Sequence, residues 1–310
     1  MLENMKVMIL MSFYNGDQYI VEQIQSILQQ DFPGKIEILI RNDGSTKTNI
    51  EDILQKIEVP CNREIILKEE KNLGPQKSFL KLIQMADSAN YYFYADQDDV
   101  WELNKVSRAV TKMEEMDSAV KLYCSDYRIT DSNLNVIYEK GVHLDDKTFH
   151  FLRAIMFNTF PGCVMGMNQQ LLDLLKKMNL ENCMMHDSYT YATALAAGQV
   201  YYDSKPSILH RIHQSNVVGY GSKKIEPCKW LKEKMTLLVK KEEYDLALYA
   251  EKLLEVSDGQ NLNFQKDILI LKNYKKSFRN TWKLLMHSDL RHKVDRCSLS
   301  IWCKVLFRLF

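Results

Sequence analysis

Runs rich in apolar residues alternate with helical patterns over the N-terminal third of the chain. Strand-length runs occur at residues 7–11, 36–40, 64–67 and 91–95. Turn residues follow the first three runs, and apolar positions at helical spacing come next, most clearly from Tyr19 to Leu28, where Asp17 is placed to cap the helix. Strands that alternate with helices in this way form a parallel sheet with right-handed crossovers. We therefore predict an α/β fold whose strands end at one shared edge.

The remainder of the chain is less regular. Further strands are predicted at residues 120–124, 136–138 and 200–202, and helices at residues 146–157, 168–178 and 189–197. From Gly219 onward the sequence becomes rich in lysine and helical in pattern. We therefore predict a main domain over residues 1–221 and a C-terminal helical extension over residues 222–310.

Composition narrows the class of protein. Hydrophobic residues make up 46% of the 310 residues and charged residues 26%, which is ordinary for a globular protein. The formal net charge of +1 gives no general attraction to nucleic acid, so we expect no nucleic-acid partner. Seven cysteines without a C-x-x-C pair fit a reducing compartment. The start lacks a secretory-signal pattern and no apolar stretch reaches about 18 residues, so we expect a cytoplasmic protein.

The C-terminal end differs from the rest in charge. Residues 266–310 contain eleven Lys or Arg against three Asp. Near the end, one helical face carries Leu299, Trp302, Val305, Leu306 and Leu309, and the opposite face carries Ser300, Lys304 and Arg308. Basic amphipathic helices lie in membrane interfaces, so we predict peripheral contact with the inner face of the cell membrane. The alternative is that this helix packs on the main domain.

Three carboxylates follow the fourth apolar run. Asp96, Asp98 and Asp99 stand at the predicted carboxyl end of a buried strand, where open α/β sheets bind their ligands. Carboxylates this close together are costly unless a cation lies between them, and oxygen ligands suit Mg²⁺ or Mn²⁺. The alternative is that Asp98 or Asp99 caps a helix that begins near Glu102.

The predicted topology brings three separate turns together. Residues 12–15, 42–45 and 96–99 each follow a parallel strand, so they should line one crevice. The first two turns offer an aromatic ring, hydroxyls, an amide and a carboxylate suited to a nucleoside, and the third offers the metal site. A nucleotide diphosphate is the ligand that uses both.

These motifs, in their order, resemble the inverting nucleotide-sugar glycosyltransferases of family 2, in particular a bacterial rhamnosyltransferase-like branch. The resemblance covers roughly residues 5–220 and rests on four motifs in one order, Ser12-Phe13-Tyr14-Asn15, Arg41-Asn42-Asp43-Gly44-Ser45-Thr46, Asp96-Gln97-Asp98-Asp99-Val100-Trp101 and His186-Asp187, followed by Arg211-Ile212-His213-Gln214-Ser215-Asn216. It implies the GT-A fold, a Rossmann-like mixed, mainly parallel sheet flanked by helices, for the catalytic domain over residues 1–221. The missing Q-x-x-R-W signature indicates transfer of one sugar per encounter rather than processive synthesis.

The resemblance also implies roles for particular residues. Asp187 matches the general base that takes the proton of the acceptor hydroxyl. Six residues are expected to bind the nucleotide: Ser12, Tyr14, Asn15, Asp43, Lys77 and Asp96. Three are expected at the metal: Asp96, Asp98 and His213. Arg211 and Asp99 are expected to face the donor diphosphate, and His186 and Trp101 the acceptor.

Several of these residues could instead have a purely structural role. Asp43 is also favoured in a turn before Gly44, and Asp187 is also placed to cap a helix. His213 can be a hydrogen-bonded structural histidine, and Trp101 a core residue behind the metal loop. Asn42 stands where the family often has an aspartate, which leaves the base of the nucleotide open.

The residues of these motifs favour dTDP-rhamnose as donor, with UDP-glucose or UDP-galactose as the alternative. A growing surface glycan or lipid-linked saccharide is the expected acceptor, which places the protein in cell-envelope polysaccharide biosynthesis. The rival hypothesis is a non-catalytic sugar-nucleotide or glycan-binding partner of a synthase complex.

Overall fold

The computed structural model describes residues 2–145, 148–157, 159–179, 184–213, 244–256, 262–290 and 304–309. These residues form a mixed sheet with strand order β3-β2-β1-β4-β8-β6-β9-β5, and β7 pairs with β6 outside this path. The strands are β1 (Lys6–Phe13), β2 (Lys35–Asp43), β3 (Arg63–Glu70), β4 (Tyr91–Ala95), β5 (Val100–Trp101), β6 (Lys121–Thr130), β7 (Val136–Tyr138), β8 (Met165–Asn168) and β9 (Gln199–Arg211).

The N-terminal half is the predicted parallel sheet. β1 pairs in parallel with β2 and with β4, and β2 pairs in parallel with β3. The crossovers contain α1 (Ile20–Leu28), α2 (Ile50–Leu54) and α3 (Pro75–Met85). The five residues of β4 are all buried, as its continuous apolar run predicts for a strand covered on both faces. The predicted order of elements is confirmed here.

Antiparallel pairing begins beyond β4. β8 pairs antiparallel with both β4 and β6, β9 pairs in parallel with β6, and β5 pairs antiparallel with β9. The helices of this half are α4 (Lys105–Glu114), α5 (Phe151–Met156), α6 (Gln169–Met178) and α7 (His186–Ala197). One large hydrophobic core lies between these helices and the sheet.

In the C-terminal region, the described residues include three further helices: α8 (Leu246–Val256), α9 (Gln265–Asn273) and α10 (Phe278–Leu285). None of the helices in the described part of the chain is both long enough and apolar enough to cross a membrane. The predicted boundary at residues 221 and 222, and Leu299, Ser300 and Trp302 of the predicted amphipathic face, lie outside the described residues. The domain boundary therefore stays a prediction.

Some predicted element ends are wrong. The N-cap residue of α1 is Tyr19 and no side chain caps this helix, so Asp17 does not have the predicted role. β9 continues far beyond the predicted residue 202 because it pairs along β6 and then with β5, interactions that local sequence does not encode. His210 and Arg211 consequently lie on a strand rather than in a loop.

Candidate active site

The turn after β1 is joined to the turn after β2 through Asn15. The side-chain oxygen of Asn15 accepts hydrogen bonds from the backbone N–H groups of Thr46 (3.0 Å) and Lys47 (2.9 Å). Its own backbone N–H donates to Ser45 Oγ at 3.0 Å. Asn15 has a positive φ of 47°, which asparagine tolerates better than most residues. The predicted meeting of these two turns is confirmed, and the Asn15 oxygen is used to hold them together.

Asp43 lies at the end of β2 and is held by the start of α3. Its two carboxylate oxygens accept hydrogen bonds from the backbone N–H groups of Leu73 (2.8 Å) and Gly74 (2.9 Å), and Arg41 Nη1 donates to it as well. Arg41 and Asp43 are both buried, and their side chains lie on one face because strand residues two apart share a face. The carboxylate is thereby fixed before any ligand arrives.

Ser12 and Lys77 lie beside this cluster. Ser12 Oγ is 2.6 Å from Ser78 Oγ, and Arg41 Nη1 donates to Ser78 Oγ at 3.0 Å. Lys77 stands in the first turn of α3, next to Ser78 and three residues after Gly74. The predicted nucleotide residues of the first two turns thus belong to one connected polar region.

Gln97 connects the turn after β1 to the turn after β4. Its Oε1 accepts from the backbone N–H of Tyr14 at 2.8 Å, and its Nε2 donates to the Tyr14 carbonyl at 3.3 Å. A Cβ atom at Gly16 would overlap the Gln97 side-chain amide, so a larger residue there would displace this amide. The Tyr14 side chain itself is left 48% exposed, available to a ligand.

The acids after β4 pair with two imidazoles from the end of β9. Asp98 Oδ2 accepts from His213 Nε2 at 2.8 Å. Asp99 Oδ1 accepts from His210 Nδ1 at 2.9 Å and from the backbone N–H of Arg211 at 3.2 Å. Pairing of β5 with β9 produces this arrangement, because Val100 lies opposite Leu209 and brings Asp99 beside His210.

These carboxylates carry more negative charge than the imidazoles neutralise. Burial, together with the charges of Asp99 and Asp98, raises the pKa of Asp96 to about 7. Burial and the Asp99 charge also raise the pKa of Asp98. Although burial favours the neutral ring, the carboxylates raise the pKa of His210 to about 9. Asp99 Oδ2 is buried and has no hydrogen-bond partner among the described residues. Clustered carboxylates with an unsatisfied buried oxygen fit a divalent cation.

The side chains close enough to share an ion are not the three predicted ones. One ligand atom each from Asp96, Asp99, Cys163 and His210 lies within 4.8 Å of the others. Among the described residues, Asp96, Asp98 and His213 do not form such a set; Asp98 and His213 form a neighbouring pair instead. The sequence therefore identified the acidic turn, whereas the partners of each acid follow from the strand pairing.

Arg211 is buried rather than open to a phosphate. Its Nη2 donates to Glu22 Oε2 at 2.6 Å, and its Nε and Nη1 donate to the carbonyls of Asp98 (3.0 Å) and Ser132 (2.7 Å). The guanidinium also lies over the Tyr19 ring, 4.2 Å from the centroid. The predicted diphosphate contact is therefore corrected: in this arrangement Arg211 fixes the backbone of the acidic turn.

Asp99, Trp101 and His186 are also buried, as are Asp43 and Asp187, so burial alone does not decide their predicted roles. Asp99 is 0% exposed, and its Oδ1 is already held by His210 and the backbone of Arg211. Trp101 is 4% exposed, with its ring near that of Phe93 and beneath the Lys105 ammonium, which confirms the alternative of a core residue. The His186 ring stacks on Phe79 with centroids 3.8 Å apart, and burial lowers its pKa to about 4. Neither Trp101 nor His186 lies on an exposed acceptor face.

Asp187 is the second residue of α7 and is 5% exposed. The preceding His186 ring meets the Tyr94 ring edge-on, and Tyr94 belongs to β4, which ends one residue before Asp96. Gly162 and Cys163 connect the two sites: Cys163 belongs to the group around Asp96, and a Cβ at Gly162 would overlap Nε2 of His186. Asp187 Oδ1 accepts a hydrogen bond from the backbone N–H of Ser188 at 2.7 Å. The carboxylate therefore also binds an N–H group in the first turn of α7.

Sequence reasoning missed five residues that organise this region. Arg41 was detectable, because a strand period of two places it on the face of Asp43. Gln97 and His210 stand inside or beside motifs that were recognised. Ser78 and Cys163 carry no local signal, because their positions depend on how α3 and the 3₁₀ turn Gly162–Val164 pack against the sheet.

Comparisons with known proteins agree with this geometry. A family model described as glycosyl transferase family 2 matches residues 8–176. The chain is 30% identical over 226 residues to a dTDP-rhamnosyl transferase, RfbG, of Shigella flexneri, an alignment that covers 67% of this chain and 73% of the relative.

Two solved structures are similar in fold. TarS 1–349 of S. aureus, in complex with UDP-GlcNAc, is 15% identical with a TM-score of 0.53, covering 98% of this chain and 91% of that chain. The mannosyltransferase PcManGT of Pyrobaculum calidifontis, in complex with GDP-Man and Mn²⁺, is 16% identical with a TM-score of 0.51, covering 98% and 85%. With the mixed sheet described above, these likenesses confirm the predicted GT-A fold.

Proposed function

The chain belongs to glycosyltransferase family 2, and from that membership we propose that it moves one sugar, L-rhamnose from dTDP-rhamnose as first choice, onto a hydroxyl of a growing surface glycan or lipid-linked saccharide. An enzyme of this family uses a nucleotide-sugar donor. One observation supports the proposal: Gln97 joins the turn after β1 to the acidic turn at Asp96–Asp99, and Asn15 joins the turn after β1 to the turn that follows Asp43.

Asp43 recognises the base of the nucleotide in this proposal. Its carboxylate is already held by two backbone N–H groups and Arg41, so it can accept a further hydrogen bond without reorganising. The exposed Tyr14 ring packs on the base, Ser12 adds a polar contact, and Lys77 approaches the phosphates. Asn15 contributes by holding the two turns together.

Asp96, Asp98 and His213 would hold the proposed metal; Asp98 and His213 already form a pair, and Asp96 also lies close to Asp99, Cys163 and His210. A bound Mn²⁺ or Mg²⁺ supplies positive charge for the diphosphate that leaves with the nucleotide. Asp99 acts through its neighbours: it orients His210 and the backbone of Arg211, and Arg211 in turn holds the Asp98 carbonyl. These contacts keep the acidic turn in one conformation.

Asp187 is the proposed general base. The acceptor hydroxyl loses its proton to the Asp187 carboxylate as its oxygen attacks the anomeric carbon, on the face opposite the leaving diphosphate. The bond to the diphosphate oxygen breaks in the same displacement, so the anomeric configuration inverts. His186, neutral because burial lowers its pKa to about 4, packs on Phe79 and fixes the start of α7 without adding charge beside the base.

The proposed preference for dTDP-rhamnose is based on similarity to the relative from Shigella flexneri and on the residues of the sequence motifs. At 30% identity this relative favours dTDP-rhamnose over the alternative, a UDP-hexose such as UDP-glucose or UDP-galactose. Donor choice depends on a few contacts to the sugar, so a direct comparison of donors is needed.

We also propose that α10 brings the enzyme to the inner face of the cell membrane. Phe278, Trp282 and Met286 are exposed at helical spacing, and the rings of Phe278 and Trp282 stack with centroids 6.4 Å apart. Arg279 and Lys283 belong to the same helix, as expected for contact with anionic lipids. Joint substitution of Phe278 and Trp282 by alanine should abolish co-sedimentation with anionic vesicles. Complete release of the native protein at low salt would contradict the membrane assignment.

Thermal melting with a panel of sugar nucleotides tests the proposed donor. A ligand that binds only the native state raises the melting temperature. We expect dTDP-rhamnose with Mn²⁺ to give the largest rise, dTDP-rhamnose without metal a smaller one, and UDP-hexoses less than either. A larger rise with a UDP-hexose would replace the donor but keep the reaction class.

Turnover separates the enzyme from a non-catalytic binding partner of a synthase complex. Purified protein with Mn²⁺ and the best donor should release nucleotide slowly by hydrolysis, and faster when a saccharide acceptor is added. Donor binding without any nucleotide release, with or without candidate acceptors, would favour the binding partner.

A further inference from the structure

A second group of imidazole and carboxylate side chains lies in the C-terminal region. Asp267 is in the first turn of α9, and His287 and Asp289 follow α10. One ligand atom from each of the three lies within 4.8 Å of the other two. His150, immediately before α5, adds a second imidazole, 3.1 Å from Asp289. The glycosyl-transfer site described above uses none of these residues.

Asp289 is the centre of the group. Its side chain is 3% exposed, so its charge is almost entirely removed from water. Oδ1 accepts from His150 Nδ1 at 3.1 Å and from Ser288 Oγ at 3.2 Å. Oδ2 is buried and accepts no hydrogen bond from the residues that the structure describes, and His287 Nδ1 lies 3.5 Å away. A buried carboxylate oxygen without a partner is costly, and a cation satisfies it directly.

The separations fit ligands around a small cation. Two nitrogen or oxygen ligands of a tetrahedral zinc ion lie about 3.3–3.5 Å apart, because each bond is about 2.0–2.2 Å long. His287 lies 3.2 Å from Asp267 Oδ1 through Nε2 and 3.5 Å from Asp289 Oδ2 through Nδ1. Only one of these nitrogens can bind the ion, and the support for a shared ion is that one ligand atom from each of the three residues lies within 4.8 Å of the other two.

We propose that Asp267, His287 and Asp289 bind a zinc ion, with a water molecule as fourth ligand. An imidazole among the ligands favours zinc over Mg²⁺, which prefers oxygen alone. His150 orients Asp289 through Oδ1, the outer hydrogen bond that metal-binding carboxylates need. The ion joins α9 to the segment after α10 and, through His150, to α5, which packs against the base-bearing helix α7.

A closed hydrogen-bond network is the competing explanation. His287 Nδ1 accepts a hydrogen bond from the backbone N–H of Asp289 at 3.4 Å, so a neutral His287 that donates from Nε2 to Asp267 needs no metal. The two explanations differ in one measurable property, because only the metal site makes stability depend on zinc.

Zinc binding to the full chain tests the proposal. The protein is freed of metal with a chelator, and bound zinc is then counted by equilibrium dialysis while melting is followed with and without Zn²⁺. In Asp289→Asn and in Asp267→Asn, the number of bound zinc ions should be lower by one than in the native protein. The rise in melting temperature that Zn²⁺ causes should be correspondingly smaller. His150→Ala should weaken that zinc about 10- to 100-fold without removing it.

Two control variants locate the ion. Asp96→Asn changes the acidic turn and should keep the C-terminal zinc, and His143→Asn, at an exposed histidine outside the group, should change nothing. Mg²⁺ should not replace zinc at this site; an equal rise in melting temperature with Mg²⁺ would overturn the choice of metal.

Equal zinc content in the native protein, Asp289→Asn and Asp267→Asn would overturn the site itself. Should Asp289→Asn not fold, Asp267→Asn at the partly exposed position decides the question alone. Because the readouts are zinc content and melting, not sugar transfer, failure here leaves the proposed transferase function untouched.

Discussion

The turns after β2 and after β4 both place acids at the carboxyl edge of the parallel sheet, but they differ in how far the protein neutralises those acids. After β2, Asp43 receives two backbone N–H groups and a buried arginine. After β4, three aspartates lie close together, two of them have raised pKa values, and Asp99 Oδ2 finds no hydrogen-bond partner in the part of the chain that the structure describes. The first turn is electrostatically complete within the protein, whereas the second is not.

This difference separates two ways to prepare a carboxylate for a ligand. A carboxylate held by donors of the protein keeps its position and charge, which suits recognition of a nucleotide base. Carboxylates left in mutual repulsion have a free energy that a proton or a bound metal ion lowers, which suits an ion that arrives with the donor diphosphate. Similar sequence motifs, D-G-S and D-x-D-D, thus prepare opposite electrostatic environments.

Asp187→Asn tests whether the acceptor proton is removed by a residue outside both turns. We expect the acceptor-dependent rate to fall about 10²- to 10⁴-fold, because the base is lost. The melting rise with donor and Mn²⁺ should be unchanged, since both turns are intact. Steady-state transfer and thermal melting measure the two effects. Unchanged transfer in this variant would remove Asp187 from the role of base.

The sharpest test of the comparison sets Asp43→Asn against Asp98→Asn in metal-free protein. Asp43→Asn should lower the free energy of unfolding by about 3–5 kcal/mol, because buried Arg41 loses its counter-charge and one backbone N–H loses its acceptor. Asp98→Asn should raise it, because repulsion among the acids decreases while His213 can still donate to the amide oxygen. Urea denaturation with chelator measures both.

Added Mn²⁺ should reverse that order for the acidic turn. The native protein should be stabilised by the ion and Asp98→Asn should not. The same sign of change in both variants without metal would mean that the two turns are not electrostatically different.

Gly162→Ala tests the contact between the acidic turn and the helix of Asp187. The added Cβ overlaps His186 Nε2, so we expect a loss of stability of about 1–3 kcal/mol and a lower kcat with little change in the donor KM. Gly166→Ala is the matched control, because its Cβ would overlap Phe93 in the core instead. A similar fall of kcat in both variants would argue that general destabilisation, not the His186 contact, is responsible.

Gln97→Ala should have the smallest effect. It removes two hydrogen bonds to the Tyr14 backbone and should cost about 1 kcal/mol. Donor KM should rise a few-fold at nearly constant kcat, because Tyr14 loses its fixed position while Asp187 keeps its own. Gln97→Glu retains the acceptor for the Tyr14 N–H and should lie between the native protein and Gln97→Ala in KM.

The first four strands could be predicted from sequence because each is a local signal. Apolar runs, turn residues and helical spacing recur within about thirty residues, and right-handed crossovers then place the turns at one edge. The meeting of Asn15 with Thr46 and of Tyr14 with Gln97 follows from that topology alone. The burial of Trp101 and Arg211 does not, since both depend on the late strand β9.

The amino-acid sequence by itself determined the order of strands and helices in the N-terminal half and which turns carry acids, because hydrophobic periodicity and turn chemistry act between near neighbours. Only the tertiary structure decided that Asp99 meets His210 and Asp98 meets His213, residues more than a hundred positions apart. The physical reason is the pairing of β9 with both β6 and β5, which is selected by the packing of the whole sheet.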